Sequence, residues 1–302
     1  MKLTMQQQSL FSQPSPAPDS VYEKLRIGTN PVVIEARKIT DELWQSFRQY
    51  ANVDFEAELR KDFHSRFWEM YLTCSLLENE FSISCPKSGP DILIRDSIQR
   101  IWIEAIAPGQ GDAGSPDRVP DRTYNVVQDH PEKQIILRYR AAIYEKFNNK
   151  YKHYICNKII GEHDPFIIAI NSSKIPNAWP DWTIPEIVKA VFPAGDLQLE
   201  INSKDRTVVG SSYQYRPSII KKSRSSVDTD IFLNPAYEGI TAILFSHVCV
   251  TRCPKDLGSD LVFIHNPLAR NPLRQGYFKF GIEYIAQDQV DNYQLRKIEH
   301  NR

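Results

Sequence analysis

Hydrophobic and polar positions along the chain recur with two periods, and these predict an order of helices and strands. Apolar residues return every three or four positions from Val53 to Asn79, without Pro or Gly, which predicts a long helix. A second helix is predicted over 131–160, and a near-continuous apolar strand over Pro165 to Asn171. Three short strand patterns lie between them, beginning at Phe81, Asp91 and Arg100. Residues 55–171 therefore form an α-β-β-β-α-β series, and the short turns favour an antiparallel meander for its first three strands.

The flanking regions extend this α/β (α+β) core. Residues 1–20 are rich in Gln, Ser and Pro and predict a disordered tail. Thr40 is a plausible N-cap for a helix that precedes the core. Residues 21–175 then hold the N-terminal helices and the core, and residues 176–302 form a β-rich C-terminal extension. Because no stretch between them is poor in apolar residues, we expect the extension to belong to the same domain.

Composition restricts the function only weakly. The 302 residues include 37 Lys and Arg and 37 Asp and Glu, so the chain lacks the basic excess that would indicate nucleic acid directly, although a local basic groove can serve. No apolar run is long enough for a membrane span, and the N-terminus lacks a signal-peptide pattern. The five cysteines are scattered without paired spacing, which favours reduced thiols. We therefore expect a cytoplasmic protein without a membrane partner.

Two acids interrupt the strand patterns. Asp91 begins the second strand and Glu104 lies near the end of the third, so a hairpin would bring them to the same end of the sheet. Carboxylates that approach this closely repel each other unless a cation such as Mg²⁺ neutralises them. Alternation places Glu104 on the face of Trp102, where an unpaired charge would be costly. Asp91 is equally well explained as turn chemistry, and Glu69 on the first core helix as a solvated residue.

The same residues resemble the motifs of the PD-(D/E)xK nuclease superfamily. Pro90-Asp91 corresponds to its first motif and Glu104 to the acid of its second, while Glu69 matches a glutamate that many members carry on the first core helix. The stretches "GPDILI", "RIWIEAIAPGQG" and "LRYRAAIYEKFNNKY" are more closely similar to a largely uncharacterised bacterial group of this type. The resemblance implies a restriction-endonuclease-like αβββαβ core with a mixed central sheet flanked by helices. It also implies a nuclease that hydrolyses DNA with Mg²⁺ or Mn²⁺.

One residue departs from the motif. The resemblance requires a lysine two positions after Glu104, where this chain has Ile106. Some superfamily members supply this cation from the following helix, and we expect Lys146 to do so here. The expected catalytic residues are therefore Glu69, Asp91, Glu104 and Lys146, with Asp91 and Glu104 as the metal ligands.

The second helix also carries most of a predicted nucleic-acid surface. Basic residues alternate there with tyrosines, a combination that suits phosphate contacts and base stacking. We expect Arg138 to clamp a phosphate and Lys150 and Tyr151 to contact nucleic acid, although a solvated basic face explains these charges equally well. DNA is the expected partner, and a homodimer is compatible with it.

Two other functions fit the same acids. Without the motif lysine, the fold would serve as a catalytically inactive module that binds nucleic acid or protein. Asp91 and Glu104 would alternatively form the acid pair of a glycosidase, a poorer fit because of the basic helix.

Overall fold

A mixed eight-stranded sheet, with helices against both faces, organises the computed structural model, which describes residues 9–179, 183–289 and 292–300. The α-helices of the described residues are α1 (Ser20–Ile27), α2 (Pro31–Phe47), α3 (Phe55–Leu59), α4 (Phe63–Glu78), α5 (Glu132–Tyr144), α6 (Lys152–Cys156) and α7 (Glu186–Lys189). Their strands are β1 (Ile83–Ser84), β2 (Ile92–Arg95), β3 (Arg100–Ile106), β4 (Phe166–Asn171), β5 (Ala194–Ile201), β6 (Val208–Tyr215), β7 (Ser218–Ile220), β8 (Ser226–Asp228), β9 (Ala242–Ser246), β10 (Val262–His265), β11 (Gly281–Gln289) and β12 (Asn292–His300). Two short 3₁₀ turns span Ile231–Leu233 and Pro235–Tyr237.

The large sheet has the order β1-β2-β3-β4-β9-β10-β11-β12. Strands β1, β2 and β3 are antiparallel neighbours, which confirms the predicted meander, and β4 and β9 continue parallel to β3. Ile92 pairs with Ile103 in the β2–β3 hairpin. Strands β9 to β12 extend the sheet on the far side of β4, so the β-rich C-terminal region continues the sheet of the predicted core.

Two apolar clusters fill the two faces of this sheet. The first lies beneath α1 to α4 and includes Phe47, Phe67 and Phe263. The second lies beneath α5 to α7 and includes Trp102 and Tyr139. Side chains of β2 and β3 alternate between the two clusters, as their period of two requires. Among the described residues, no helix is long and apolar enough to cross a membrane.

The predicted helix over 53–79 is two helices. Helix α3 ends at Leu59, and Asp62 then caps α4, because its carboxylate accepts hydrogen bonds from the Ser65 amide and hydroxyl. The apolar period runs through the break, so the period alone did not reveal it. The predicted cap at Thr40 is also wrong: α2 begins at Pro31, and the Thr40 hydroxyl donates to a helical carbonyl instead.

The second predicted helix changes its winding midway. α5 runs into a π-helical segment over Glu145–Tyr151, which leads directly into α6. π-Helical turns are rare and occur mostly as single turns at functional sites. This segment carries Lys146 and orients the residues around it.

Part of the predicted N-terminal tail is ordered against α1 and α2. Leu10 and Phe11 are buried, and the Phe11 ring lies 5.1 Å from the ring of Tyr22. The Leu10 amide donates to Asp41, and its carbonyl accepts from the Tyr22 hydroxyl at 2.6 Å. A disordered tail over 1–20 is therefore wrong for residues 9–20, because two apolar side chains complete the helical layer. Residues 1–8 lie outside the described residues.

Strands β5 and β6 form a separate two-stranded ribbon. Leu197 and Leu199 lie on one of its faces and Gln198 and Glu200 on the other, and Leu197, Leu199 and Ile201 are 43–59% exposed. The ribbon is thus amphipathic, with its apolar face turned to solvent.

The packing of the N-terminal segment is testable through Phe11. Phe11→Ala removes a ring that is only 7% exposed, and we expect it to lower the free energy of unfolding by about 3 kcal/mol. Urea denaturation followed by circular dichroism measures the change. Val53→Ala, at an exposed position, is the control and should stay within about 0.5 kcal/mol of the wild type. Equal stability of Phe11→Ala and wild type would show that the segment does not pack.

Candidate functional site

The register of the β2–β3 hairpin brings the two predicted strand acids together. Because Ile92 faces Ile103, Asp91 lies one step earlier, opposite Glu104. The Asp91 carboxylate accepts a hydrogen bond of 2.7 Å from the amide of Ala105. This bond fixes the Asp91 carboxylate beside the end of β3, as expected if the hairpin brings Asp91 and Glu104 to the same end of the sheet.

Glu104 is held by two side chains from the helix that follows the meander. Lys146 Nζ lies 2.8 Å from Glu104 Oε1, and the Tyr154 hydroxyl donates to Oε2 at 3.1 Å. Glu104 is only 4% exposed, and Lys146 is largely covered as well. The charge in the third strand is therefore a buried, paired carboxylate.

Glu69 approaches from the opposite helical layer. It lies on α4 and pairs with Arg66 one turn earlier, with 2.5 Å between Arg66 Nη1 and Glu69 Oε2. Asp91 and Glu104 both raise the pKa of Glu69, so the three carboxyl groups are close enough to interact. We call these three acids with Arg66 and Lys146 the acidic site.

Burial and mutual repulsion shift the titration of these groups. Burial is the main cause of the raised pKa values of Asp91 and Glu104, and the Asp91 carboxylate raises that of Glu104 further. Burial, and then the Asp91 charge, raise the pKa of Glu69 to about 7. For Lys146, burial lowers the pKa, but the Glu104 carboxylate outweighs it and the net shift is upward. Lys146 therefore remains a cation.

The charges of the acidic site do not balance. Three carboxylates against Arg66 and Lys146 give a formal charge of −1 when all groups are ionised. Among the described residues, no group of three or more His, Cys, Asp or Glu is arranged to hold a metal ion. The two carboxylates of Asp91 and Glu104 would be enough for Mg²⁺, because this ion commonly takes one or two carboxylates and completes its coordination shell with water and phosphate oxygens. The excess negative charge suits such a cation.

The π-helical segment aligns Lys146 with Tyr154. In an α-helix, eight residues exceed two turns by about 0.2 of a turn, so the two side chains would diverge. The turns over Glu145–Tyr151 hold more residues each, since π-helical hydrogen bonds join residues five apart. The wider winding lets both side chains reach Glu104.

The structure separates the remaining predicted residues from the acidic site. Arg138 Nε donates to the carbonyl of Gly109 at 2.7 Å and so anchors the start of the 107–130 loop. Lys150 is exposed on the π-helical segment. Tyr151 is buried, with its ring centroid 5.3 Å from that of Phe147 and 4.8 Å from that of Phe166. A base-stacking role for Tyr151 is wrong, because core side chains already cover its ring.

Two residues that contact the acids, Arg66 and Tyr154, were not among the predicted site residues. Arg66 carries a usable signal, since it precedes Glu69 by three positions on one helix and such pairs are neighbours. Tyr154 is one of the tyrosines that alternate with basic residues in the second predicted helix, but its hydroxyl donates to Glu104. Only the π-helical winding, which has no clear sequence signature, reveals that contact.

The raised pKa of Glu69 predicts a pH-dependent stability. Because its folded pKa of about 7 lies above the usual 4.5, the folded state binds the proton more tightly. The stabilisation of the folded state by the Glu69 proton is complete below pH 4.5. It decreases by roughly 3 kcal/mol in total as the pH rises through 7. Glu69→Gln should therefore gain stability relative to wild type over this range in urea denaturation without divalent ions.

The matched control is Glu35→Gln, at an exposed glutamate of α2. Its unfolding free energy should follow that of the wild type at each pH. Parallel curves for Glu69→Gln and wild type would show that Glu69 titrates normally.

Comparisons with known proteins do not add to the geometry. The chain matches no protein-family model, no curated protein and no solved structure. A function for this chain therefore has to be argued from its own residues. The acidic site combines interacting carboxylates with a lysine, and this combination is the one that suggests a chemistry.

Proposed function

We propose that the chain is a divalent-metal-dependent nuclease that hydrolyses phosphodiester bonds of DNA. The observation that carries the proposal is the buried contact of 2.8 Å between Lys146 and Glu104, with Asp91 opposite Glu104 on the neighbouring strand. Two carboxylates and a lysine at one sheet edge are the groups expected for the PD-(D/E)xK pattern. Lys146 would take the role of the motif lysine, because the sequence has Ile106 at the motif position.

The topology supports the same proposal. Helix α4, the β1-β2-β3 meander, helix α5 and the parallel strand β4 follow each other in the order expected of a restriction-endonuclease-like core. The acidic site lies where β2 begins and β3 approaches its end. We propose this part of the chain as that core, with β9 to β12 as an elaboration of its sheet.

Each side chain has a distinct part in the proposed reaction. Asp91 and Glu104 would hold the metal ion, which when bound activates water and stabilises charge at phosphorus. Lys146 would place its ammonium beside the scissile phosphate and the attacking water, and Tyr154 would keep the Glu104 carboxylate in position. Glu69, with a pKa of about 7, would accept or return a proton near neutral pH.

The proposal also fixes a partner and a compartment. DNA is the proposed substrate, and the cytoplasm is the proposed location, since all five cysteines are free thiols and none pairs with another. A homodimer is compatible with both.

Cleavage of plasmid and single-stranded DNA in Mg²⁺ or Mn²⁺ tests the nuclease proposal. Glu104→Gln, Asp91→Asn and Lys146→Met should each lower the rate by about a hundredfold or more, because each removes charge from the reacting centre. Lys38→Met, at an exposed lysine of α2, is the control and should cleave like wild type. Rates unchanged by the three site variants would contradict the proposal, and salt-sensitive binding without cleavage would favour the inactive binding module.

Transfer of the lysine gives a sharper test of the role of Lys146. Ile106 lies two positions after Glu104, on the same face of β3, so a lysine there would approach the same carboxylate. Ile106→Lys combined with Lys146→Met should recover part of the activity that Lys146→Met loses, measured as initial cleavage rate. Thermal unfolding of both variants controls for stability. A folded double variant as inactive as Lys146→Met would show that the two positions are not interchangeable.

A further inference from the structure

A second feature lies along the same edge of the sheet. A cavity of about 490 Å³ opens beyond the carboxyl end of β4, between residues 172–179, the 107–130 loop and the start of α4. We call it the lateral cleft. Among the described residues, the cations Arg122, Lys174 and Arg252 line it together with one carboxylate, that of Asp19. The lining is thus positive in a chain whose formal charge is zero.

Aromatic rings stand beside these cations. Trp179 lines the cleft and is 47% exposed, and Tyr124 is 76% exposed. The Arg252 guanidinium lies over the Trp179 ring, 4.5 Å from its centroid. Large aromatic surfaces exposed next to cations are the composition that binds single-stranded nucleic acid, because bases stack on the rings and phosphates meet the charges.

The cations are held in place by other side chains. Arg122 Nε donates to Asn177 Oδ1 at 3.3 Å, and Lys174 Nζ lies 2.9 Å from the Asp62 carboxylate at the start of α4. Lys174 is thereby partly neutralised, which leaves Arg122 and Arg252 as the main phosphate contacts. Positions that are fixed before binding reduce the entropy lost when a strand is bound.

The lateral cleft lies within reach of the acidic site. Glu104 pairs with Ile168 in the parallel β3–β4 register, and the cleft begins at Ser172, four residues further along the chain and just past the end of β4. Four residues of strand span about 13 Å. A nucleic-acid strand that had a phosphate at the acidic site and ran in the direction of β4 would therefore place neighbouring nucleotides at the cleft.

We propose that the lateral cleft binds unpaired nucleotides of single-stranded DNA next to the scissile phosphate, with bases on Trp179 and Tyr124 and phosphates on Arg122 and Arg252. The inference rests on the proposed nuclease function for its substrate and narrows that substrate to DNA with an unpaired segment. In an intact duplex the base faces are stacked on one another, so the rings of the cleft have nothing to bind.

Fluorescence anisotropy with a labelled thymidine oligonucleotide tests the inference, in EDTA so that binding is read without cleavage. Wild type should bind this strand more tightly than a duplex of the same length. Trp179→Ala should weaken single-strand binding about tenfold or more, and Trp179→Phe should keep most of it. Arg252→Ala should lower the slope of affinity against salt by about 1.

Tyr215→Ala is the matched control, because Tyr215 is an exposed aromatic residue on the β5–β6 ribbon. It should bind like wild type. Single-strand affinity that Trp179→Ala leaves unchanged, or a loss that is equal for the duplex, would overturn the inference. Since the assay contains no divalent ion, a failure of the nuclease proposal would appear in the cleavage rates alone, with this binding intact.

Discussion

The structure depends on how three carboxylates, two buried and one half-buried, are accommodated at one end of the β2–β3 hairpin. Glu69, Asp91 and Glu104 approach from a helix and two neighbouring strands, and Arg66 and Lys146 are the cations that oppose their charge in the part of the chain that the structure describes. Burial raises the pKa values of all three acids, the Asp91 charge raises those of Glu69 and Glu104 further, and neither cation offsets these shifts. An arrangement that costs folding free energy in this way is typical of a functional site. Around it, the meander, helix α4 and the helix after the long loop bring the groups together.

Lys146 shows how this site is built without the expected motif residue. Its ammonium reaches Glu104 from a different element, and the π-helical winding sets its direction. Tyr154 binds the other oxygen of the same carboxylate from two turns further along. The carboxylate is thus fixed on both sides before any ligand is bound. Under the proposed function, this preorganisation would favour electrostatic catalysis, and the helix would supply the charge that the motif places on a strand.

Much of this arrangement was predictable, and the exceptions have physical causes. Strand alternation predicted the hairpin and the face of Glu104, because the period of two leaves little freedom. The break before α4 was missed because α3 ends at Leu59 and Asp62 caps α4 without interrupting the apolar period. Tyr151 was misassigned because helical spacing does not show which aromatic side chains the neighbouring elements cover. Local patterns therefore gave the elements and the acids, while long-range packing decided which rings and cations are accessible.

The amphipathic β5–β6 ribbon has a consequence for how the protein behaves at high concentration. The ribbon exposes an apolar surface that favours association with other copies of the chain, formed by Leu197, Leu199 and Ile201. Equal numbers of acidic and basic residues leave almost no long-range repulsion near neutral pH to oppose such contacts. Colloidal stability should therefore be lowest near pH 7 and improve on either side, where a net charge develops. The pH near which Glu69 changes its protonation state, about 7, is then also the pH at which concentrated solutions of the protein are least stable against association.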